Sequence, residues 1–349
     1  VFQDISVERL LSLKEQKELT IIDVRSESEY KDSTIPGSIN IPFFTDEERA
    51  EVGTLYKQVS VQAAKERGLE IASAKLPEFV KKFSSLNGEK AVFCWRGGMR
   101  SRTTATVLSL MGIRAFRLEG GYRAYRNYVT DQLGSFEMKP RAIVLNGNTG
   151  SGKTIILRKL ADEGYPVLDL EGMANHRGSI FGQIGLEPHN QKKFDSLLLK
   201  DLQRVSDSPY VVFEGESKRV GKAMVPDFLL DKKEKGLQLF IDMPIEERVR
   251  HILEDYQPTE HAAECLEAFS RIKRRIHTPA ANQIQKDLET GEYASAVQLL
   301  LEYYYDPLYE HTTSHFPQSQ IIRLEVRNID EAIVRVRDYL NTAGEPQTV

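Results

Sequence analysis

Ala142-Ile143-Val144-Leu145-Asn146-Gly147-Asn148-Thr149-Gly150-Ser151-Gly152-Lys153-Thr154 is the stretch that decides how this chain folds. Its first four residues are an unbroken apolar run, which reads as a strand buried on both faces. Residues 147–154 then fit G-x-x-x-x-G-K-[ST], and residues 155–160 continue with helical spacing. Each part has a physical purpose. Glycines let backbone N–H groups curl around an anion, and the N-terminus of the following helix adds positive potential. Lys153 reaches the outer phosphate, and the Thr154 hydroxyl suits Mg²⁺. A chance match in a chain of average composition is on the order of one per cent. The strand before it and the helix after it make a decorative glycine-rich turn a poor explanation. The motif does not choose among ATP, GTP and other diphosphates.

Working outward, apolar runs at 166–170, 210–213, 237–241 and 321–324 predict further strands, with helices at 191–205 and 245–256. Residues 258–312 read as consecutive helices. Upstream, strands are predicted at 20–24, 38–41, 91–93 and 114–118, alternating with helical patterns at 76–83, 100–111 and 122–133. The opening VFQDISVERLLSLK is charged and helix-like, without a signal-peptide core. This rhythm predicts two α/β domains with mostly parallel sheets. The expected boundaries are 1–135 and 136–349, with a helical insertion at about 258–312 and a linker at 134–140.

Composition narrows the function. The 349 residues carry 47 Lys and Arg against 51 Asp and Glu, a formal net charge of −4. Residues 1–140 are net +2 and residues 141–349 net −6, so neither part is a basic nucleic-acid coat, although a local basic groove is still open. No run approaches the ~18–20 apolar residues a membrane span needs, so no membrane partner is expected. Two cysteines, Cys94 and Cys265, are too few for a disulfide framework and point to a reducing, cytoplasmic setting.

Carboxylates at strand ends can position Mg²⁺ or water in phosphate-binding domains. Glu214 and Glu216 follow the strand at 210–213, and Asp169 and Glu171 close the one at 166–170. Solvated strand-end acids are the plain alternative.

Cys94-Trp95-Arg96-Gly97-Gly98-Met99-Arg100-Ser101 follows the strand at 91–93 and opens a helix. A ring of backbone N–H groups, a helix N-terminus and the two arginines Arg96 and Arg100 each favour an anion there. Two glycines and two arginines are poor neighbours for a merely core-filling cysteine. Cys265, in a helical run, reads as core.

Residues 21–25 (IIDVR), 34–42 (TIPGSINIP) and 119–122 (EGGY) resemble the rhodanese domain. The spacing departs from C-x4-R. Cys94 and Arg100 stand at C-x5-R, followed by Ser101, which is also the signature of cysteine-dependent phosphatases and leaves room for a phosphate or selenophosphate. With VGTLYKQ at 52–58, DLEG at 169–172, HRGS at 176–179, EGES at 214–217, IKRR at 272–275 and YYDP at 304–307, the chain resembles the bacterial tRNA 2-selenouridine synthases from about residue 20 to 310. The resemblance implies a rhodanese-like α/β domain followed by a P-loop NTPase-like parallel-sheet domain with an added helical segment. It implies two reactions on the wobble uridine of tRNAs for Lys, Glu and Gln. The sulfur of 2-thiouridine is alkylated by geranyl diphosphate, and selenophosphate then supplies selenium as the geranyl thiol leaves. The P-loop, Gly147, Asn148, Thr149, Gly150, Ser151, Gly152, Lys153 and Thr154, would hold the diphosphate, with Mg²⁺ at Thr154. Cys94 would receive selenium as a selenylsulfide or hold the selenophosphate, with Arg96 and Arg100 on its oxygens. Contact with a selenophosphate-producing enzyme is a further expected partnership.

Other residues are more open. His176 and Arg177 bind the diphosphate or the base, or are loop hydrogen-bonders; Ser217 is a weaker candidate for the same site. Arg271, Lys273, Arg274 and Arg275 form a basic cluster on a helical stretch, fit for a tRNA backbone or simply solvated. The tyrosines at 303–305 stack on a base, line a geranyl pocket or pack a core. The competing enzyme reading is a sulfurtransferase or cysteine-dependent phosphatase coupled to a P-loop NTPase. A non-enzymatic tRNA scaffold sits poorly with an intact Cys94 and Lys153.

Overall fold

The computed structural model describes residues 2–16, 19–313 and 315–343. The chain divides into two compact units, Val1–Ser135 and Phe136–Val349.

The first unit is built on five strands, β1 (Gln3–Ile5), β2 (Leu19–Asp23), β3 (Ile39–Asn40), β4 (Glu89–Phe93) and β5 (Ala115–Leu118), all parallel, in the order β1-β5-β4-β2-β3. Ile21, Ile22, Ala91, Val92 and Phe93 are buried on both faces, as a helix-covered parallel sheet requires. Helices Val7–Glu15, Asp46–Gln58, Val61–Ser84, Met99–Leu110 and Gly121–Gly134 surround it. The opening segment departs from its helical reading. Residues 3–5 pair with β5, where Arg117 grips Asp4 at 2.7 and 2.5 Å, and the helix starts only after Ser6 accepts the Arg9 N–H. The expected helix at 76–83 is the end of a 24-residue helix that carries Pro77 within it.

The second unit has β6 (Arg141–Gly147), β7 (Val167–Leu168), β8 (Tyr210–Glu214), β11 (Leu237–Asp242) and β12 (Ile321–Glu325), parallel in the order β12-β11-β6-β8-β7. A small antiparallel pair, β9 (Arg219–Val220) and β10 (Ala223–Met224), lies outside that sheet. From β6 the chain winds to one side through β7 and β8, then returns to the other through β11. The crevice at the carboxyl end of β6 is therefore the topological switch point, where ligands bind in such sheets. The strand expected at 166–170 shrinks to two residues, because Asp169 leaves the strand to cap the helix Leu170–Ala174.

Residues 262–313 form consecutive helices with a core of their own, including Phe269, Ile272, Ala281, Ile284 and Leu301. Among the described residues, no helix is long and apolar enough to cross a membrane.

Candidate functional site

The phosphate loop joins β6 to the helix Lys153–Asp162. Gly150 and Gly152 take left-handed φ values of 84° and 73°. A Cβ at Gly150 would stand 2.8 Å from the Arg248 carbonyl, so only glycine turns the chain there. Ser151 is buried against Gly147. Lys153 Nζ donates to the Gly147 carbonyl at 2.8 Å and lies 5.7 Å from the Tyr309 ring centroid. Two loop carbonyls are held from the helix Ile245–Tyr256: Arg248 Nη1 reaches Thr149 O at 3.4 Å, and His251 Nδ1 lies 3.2 Å from Gly150 O. A cleft of about 400 Å³ opens over the loop, lined among others by Lys153, Thr154, Glu171, His176, Glu216 and Tyr309.

The four acids separate. Thr154 Oγ1 donates to Glu171. Glu171 and Glu216 both line the cleft and converge on Gly178, where an added Cβ would meet their oxygens at 2.6 and 2.8 Å. Burial first, and the facing Glu216 second, push the Glu171 carboxyl up to about 7; burial also raises Glu216. Glu214 is wholly buried, its carboxyl raised well above the usual range, and it accepts the Leu170 N–H at 3.0 Å. Asp169 accepts the Gly172 N–H at 2.7 Å and pairs with Arg158 at 3.0 Å. Neither Glu214 nor Asp169 lines the cleft. They shape the ground beneath Glu171.

His176 lines the cleft with its ring packed on Gly182 and Gly221, and burial lowers its pKa. Arg177 lines it too, yet its guanidinium bonds to Asp255 (2.6 Å) and to the Ile184 carbonyl (2.8 Å), and stacks on Tyr256. This reads as fastening rather than anion capture. Ser217 turns away: its hydroxyl donates to Arg219 O at 2.8 Å in an exposed turn.

In the first unit, Cys94 directly follows β4 with 3% exposure, its Sγ 3.2 Å from Ser101 Oγ. The loop is clamped by Gly121, where an added Cβ would stand 2.3 Å from Cys94 O, and by the Tyr122 N–H, which donates to that carbonyl at 2.8 Å. Arg96 is exposed. Arg100 forms a two-pronged pair with Glu29 at 2.5 and 3.2 Å. Beneath the loop, buried Asp23 and Arg25 pair at 2.7 Å, and the Arg25 guanidinium lies 4.3 Å from the Tyr122 ring centroid.

The model of the tRNA 2-selenouridine synthase AAA domain matches residues 140–340, and that of the rhodanese-like domain matches residues 6–128. A tRNA 2-selenouridine synthase of Bdellovibrio bacteriovorus is 32% identical over 84% of this chain and 89% of its own length. One from a Sulfurovum species is 29% identical over 91% and 95%. Among solved structures, the N-terminal domain of a putative ATP/GTP binding protein from Clostridium difficile 630 is 38% identical over 36% of this chain and 98% of that one, with a TM-score of 0.35.

The chain belongs to the tRNA 2-selenouridine synthase family.

As a member of the synthase family it is an enzyme, with the expected order of a rhodanese-like unit before a P-loop-type unit. In this synthase the basic cluster is less of a helix face than its sequence suggests. Arg271 lies in the last turn of the helix Ala262–Ile272 and pairs with Glu267 at 2.5 Å, while Lys273–Arg275 is a 3-10 turn in which Lys273 bonds Gln285. Arg274 and Arg275 are exposed. Tyr304 and Tyr305 are buried in the helical core and Tyr303 is half exposed; Cys265 is core, its thiol pushed up to about 11 by burial.

Sequence reading passed over Glu29, Arg248 and His251, and quoted Asp306 only within YYDP, without a role. Arg248 carried a usable signal. It falls on the apolar stripe of Ile245, Val249, Ile252 and Tyr256, where a lone charge needs a buried partner. Among the described residues, no group of three or more His, Cys, Asp or Glu could hold a metal unaided. The Thr154 hydroxyl beside Glu171 does fit Mg²⁺, which uses one or two protein oxygens together with substrate phosphates and water.

Proposed function

We propose that this synthase replaces the sulfur of wobble 2-thiouridine in tRNAs for Lys, Glu and Gln by selenium, in two steps served by its two loops. The observation that carries the reading is the presence, in one chain of this family, of a lysine-bearing phosphate loop under a roomy cleft and a separate clamped thiol loop.

In the first step the thiocarbonyl sulfur attacks C1 of geranyl diphosphate. The C1–O bond breaks, diphosphate leaves with the electron pair, and N3 of the base gives up its proton. A poor leaving thione thereby becomes an alkylthio group. The loop amides and Lys153 stabilise the charge that grows on the departing diphosphate. Mg²⁺, held by Thr154 and Glu171, would add charge neutralisation there and draw the Glu171 carboxyl to its anionic form.

In the second step selenophosphate sits at the Cys94 loop, where Arg96 is available to its oxygens. Hydrolysis of the P–Se bond gives phosphate and hydroselenide. Hydroselenide adds at C2, its proton passes to N3, and the geranyl thiolate leaves and is protonated. Selenium keeps its oxidation state throughout. A selenylsulfide on Cys94 would require an oxidant, so the holding role for the Cys94 loop is the one adopted. Arg274 and Arg275 are the tRNA-backbone candidates. A cytoplasmic setting, and supply by a selenophosphate-producing enzyme, follow from this chemistry.

The test is to incubate the protein with 2-thiouridine tRNA, geranyl diphosphate and Mg²⁺, with and without selenophosphate, and to weigh the nucleosides. S-geranyl-2-thiouridine without selenophosphate, and 2-selenouridine with it, are expected. Unchanged tRNA alongside turnover of ATP or of phosphate esters would favour the coupled NTPase or phosphatase instead.

A further inference from the structure

Beside the cleft lies a second, smaller cavity of about 50 Å³ with apolar accessible walls. Phe181, Cys265, Leu288, Val297 and Leu301 line it from the helical segment and its approaches. Thr149, Ser179, Ile252 and Tyr256 border both this chamber and the 400 Å³ cleft. The chamber therefore adjoins the phosphate loop itself, with Thr149 belonging to both. We infer that it is the tail pocket of the phosphate-loop site, taking the terminal five-carbon unit of a prenyl diphosphate, and that its far wall sets the accepted chain length. This rests on the diphosphate reading above and adds to it the subsite and the residues that measure the chain.

Size, walls and local geometry support the assignment. A water needs about 10–15 Å³ on this measure, so the chamber holds roughly four water-sized groups. That is room for one branched five-carbon unit and not for two. The first unit of a ten-carbon chain then lies in the cleft, between the phosphate loop and the chamber mouth. The walls are mainly apolar: burial holds the Cys265 thiol protonated, Ser179 is engaged with the Tyr256 hydroxyl at 3.1 Å, and the buried Tyr305 hydroxyl is a wall polar atom without a hydrogen-bond partner among the described residues. A prenyl tail would give the apolar lining atoms close dispersion partners. Leu301 and Tyr305, both on the chamber wall, open and close a π-helical turn, Leu301–Tyr305. Such turns concentrate at functional sites, where they widen a helix locally.

The experiment is calorimetric titration of the full chain, in Mg²⁺, with inorganic diphosphate and with the five-, ten- and fifteen-carbon prenyl diphosphates. Ten carbons should bind at least about tenfold tighter than five, and fifteen should gain nothing further. Val297→Phe, at a half-buried wall position, should bring the ten-carbon ligand down to the five-carbon level and leave inorganic diphosphate unchanged. Cys265→Ala should improve the fifteen-carbon ligand, and it decides the matter alone where Val297→Phe does not fold. Inorganic diphosphate binding without discrimination by chain length would overturn the tail pocket and spare the phosphate-loop reading. Equal losses for inorganic and prenyl diphosphates in Val297→Phe would overturn it as well. No binding of any of these ligands would overturn the loop reading and this inference together.

Discussion

Arg248 grips Asp306 with both terminal nitrogens, at 2.8 and 2.7 Å, while the same guanidinium touches the Thr149 carbonyl. One side chain thus ties the helix Ile245–Tyr256, the start of the helix Asp306–Thr313 and the phosphate loop together. Arg248 has only 5% of its side chain exposed. A buried guanidinium stripped of its partner is costly, so Asp306→Ala should destabilise the protein by about 3 kcal/mol in urea unfolding. It should also weaken inorganic diphosphate binding, because the loop carbonyl loses its fixed neighbour. The double variant Arg248→Met, Asp306→Leu should recover most of the stability and little of the binding. A stability loss under about 1 kcal/mol for the single change would show that the pair is not buried in solution as described.

On the proposed two-step reaction, variants of the two loops should fail differently. Lys153→Ala should lower S-geranylation at least about 100-fold, as expected when one charge-stabilising donor is lost. It should still convert tRNA that already carries S-geranyl-2-thiouridine. Cys94→Ala should accumulate the S-geranyl nucleoside and make no 2-selenouridine. Nucleoside mass spectrometry reads both. Full conversion by Cys94→Ala would remove the thiol loop from the reaction.

Glu29 gives the first unit a pH dependence of known sign. Burial would raise its carboxyl, but the hydrogen bonds and charge of Arg100 outweigh burial and hold it below its ordinary value of 4.5. A depressed folded value means the contribution is complete above pH 4.5 and is lost as pH falls through the folded value. Glu29→Gln should therefore cost about 1.5–3 kcal/mol at pH 7 and progressively less in acid. Thermal melts of both proteins from pH 7 to pH 3 should converge. Curves that keep a constant separation down to pH 3 would mean that the Glu29 charge does not carry the contribution, and coincident curves that the pair contributes nothing to folding.

The proposed tRNA contact of the exposed Arg274 and Arg275 should show in the salt dependence. Arg274→Ala with Arg275→Ala should weaken tRNA binding and reduce the slope of log K against log salt by about one per lost phosphate contact. Thermal stability should barely move, since both side chains are exposed. An unchanged slope would place the tRNA contact elsewhere.

The sequence by itself determined the parallel α/β class, the strand–loop–helix around Lys153 and the thiol loop around Cys94. These are local matters. Apolar runs four or five residues long, glycines where φ must be positive and a lysine at a set offset are all contained in one short segment. Only the tertiary structure decided which of the nearby candidates meet. Glu171 and Glu216 face the cleft while Asp169, two residues before Glu171, is spent on capping a helix, and Ser217, one residue after Glu216, turns away. The structure also took residues 3–5 from the opening helix pattern and gave them to the sheet edge beside Arg117. Glu29 finds Arg100 across 71 residues, and Arg248 finds Asp306 across 58. A charged side chain carries no periodicity that names its partner. Its choice is made by packing, where desolvation forces each buried charge onto whichever opposite charge the fold has brought within reach.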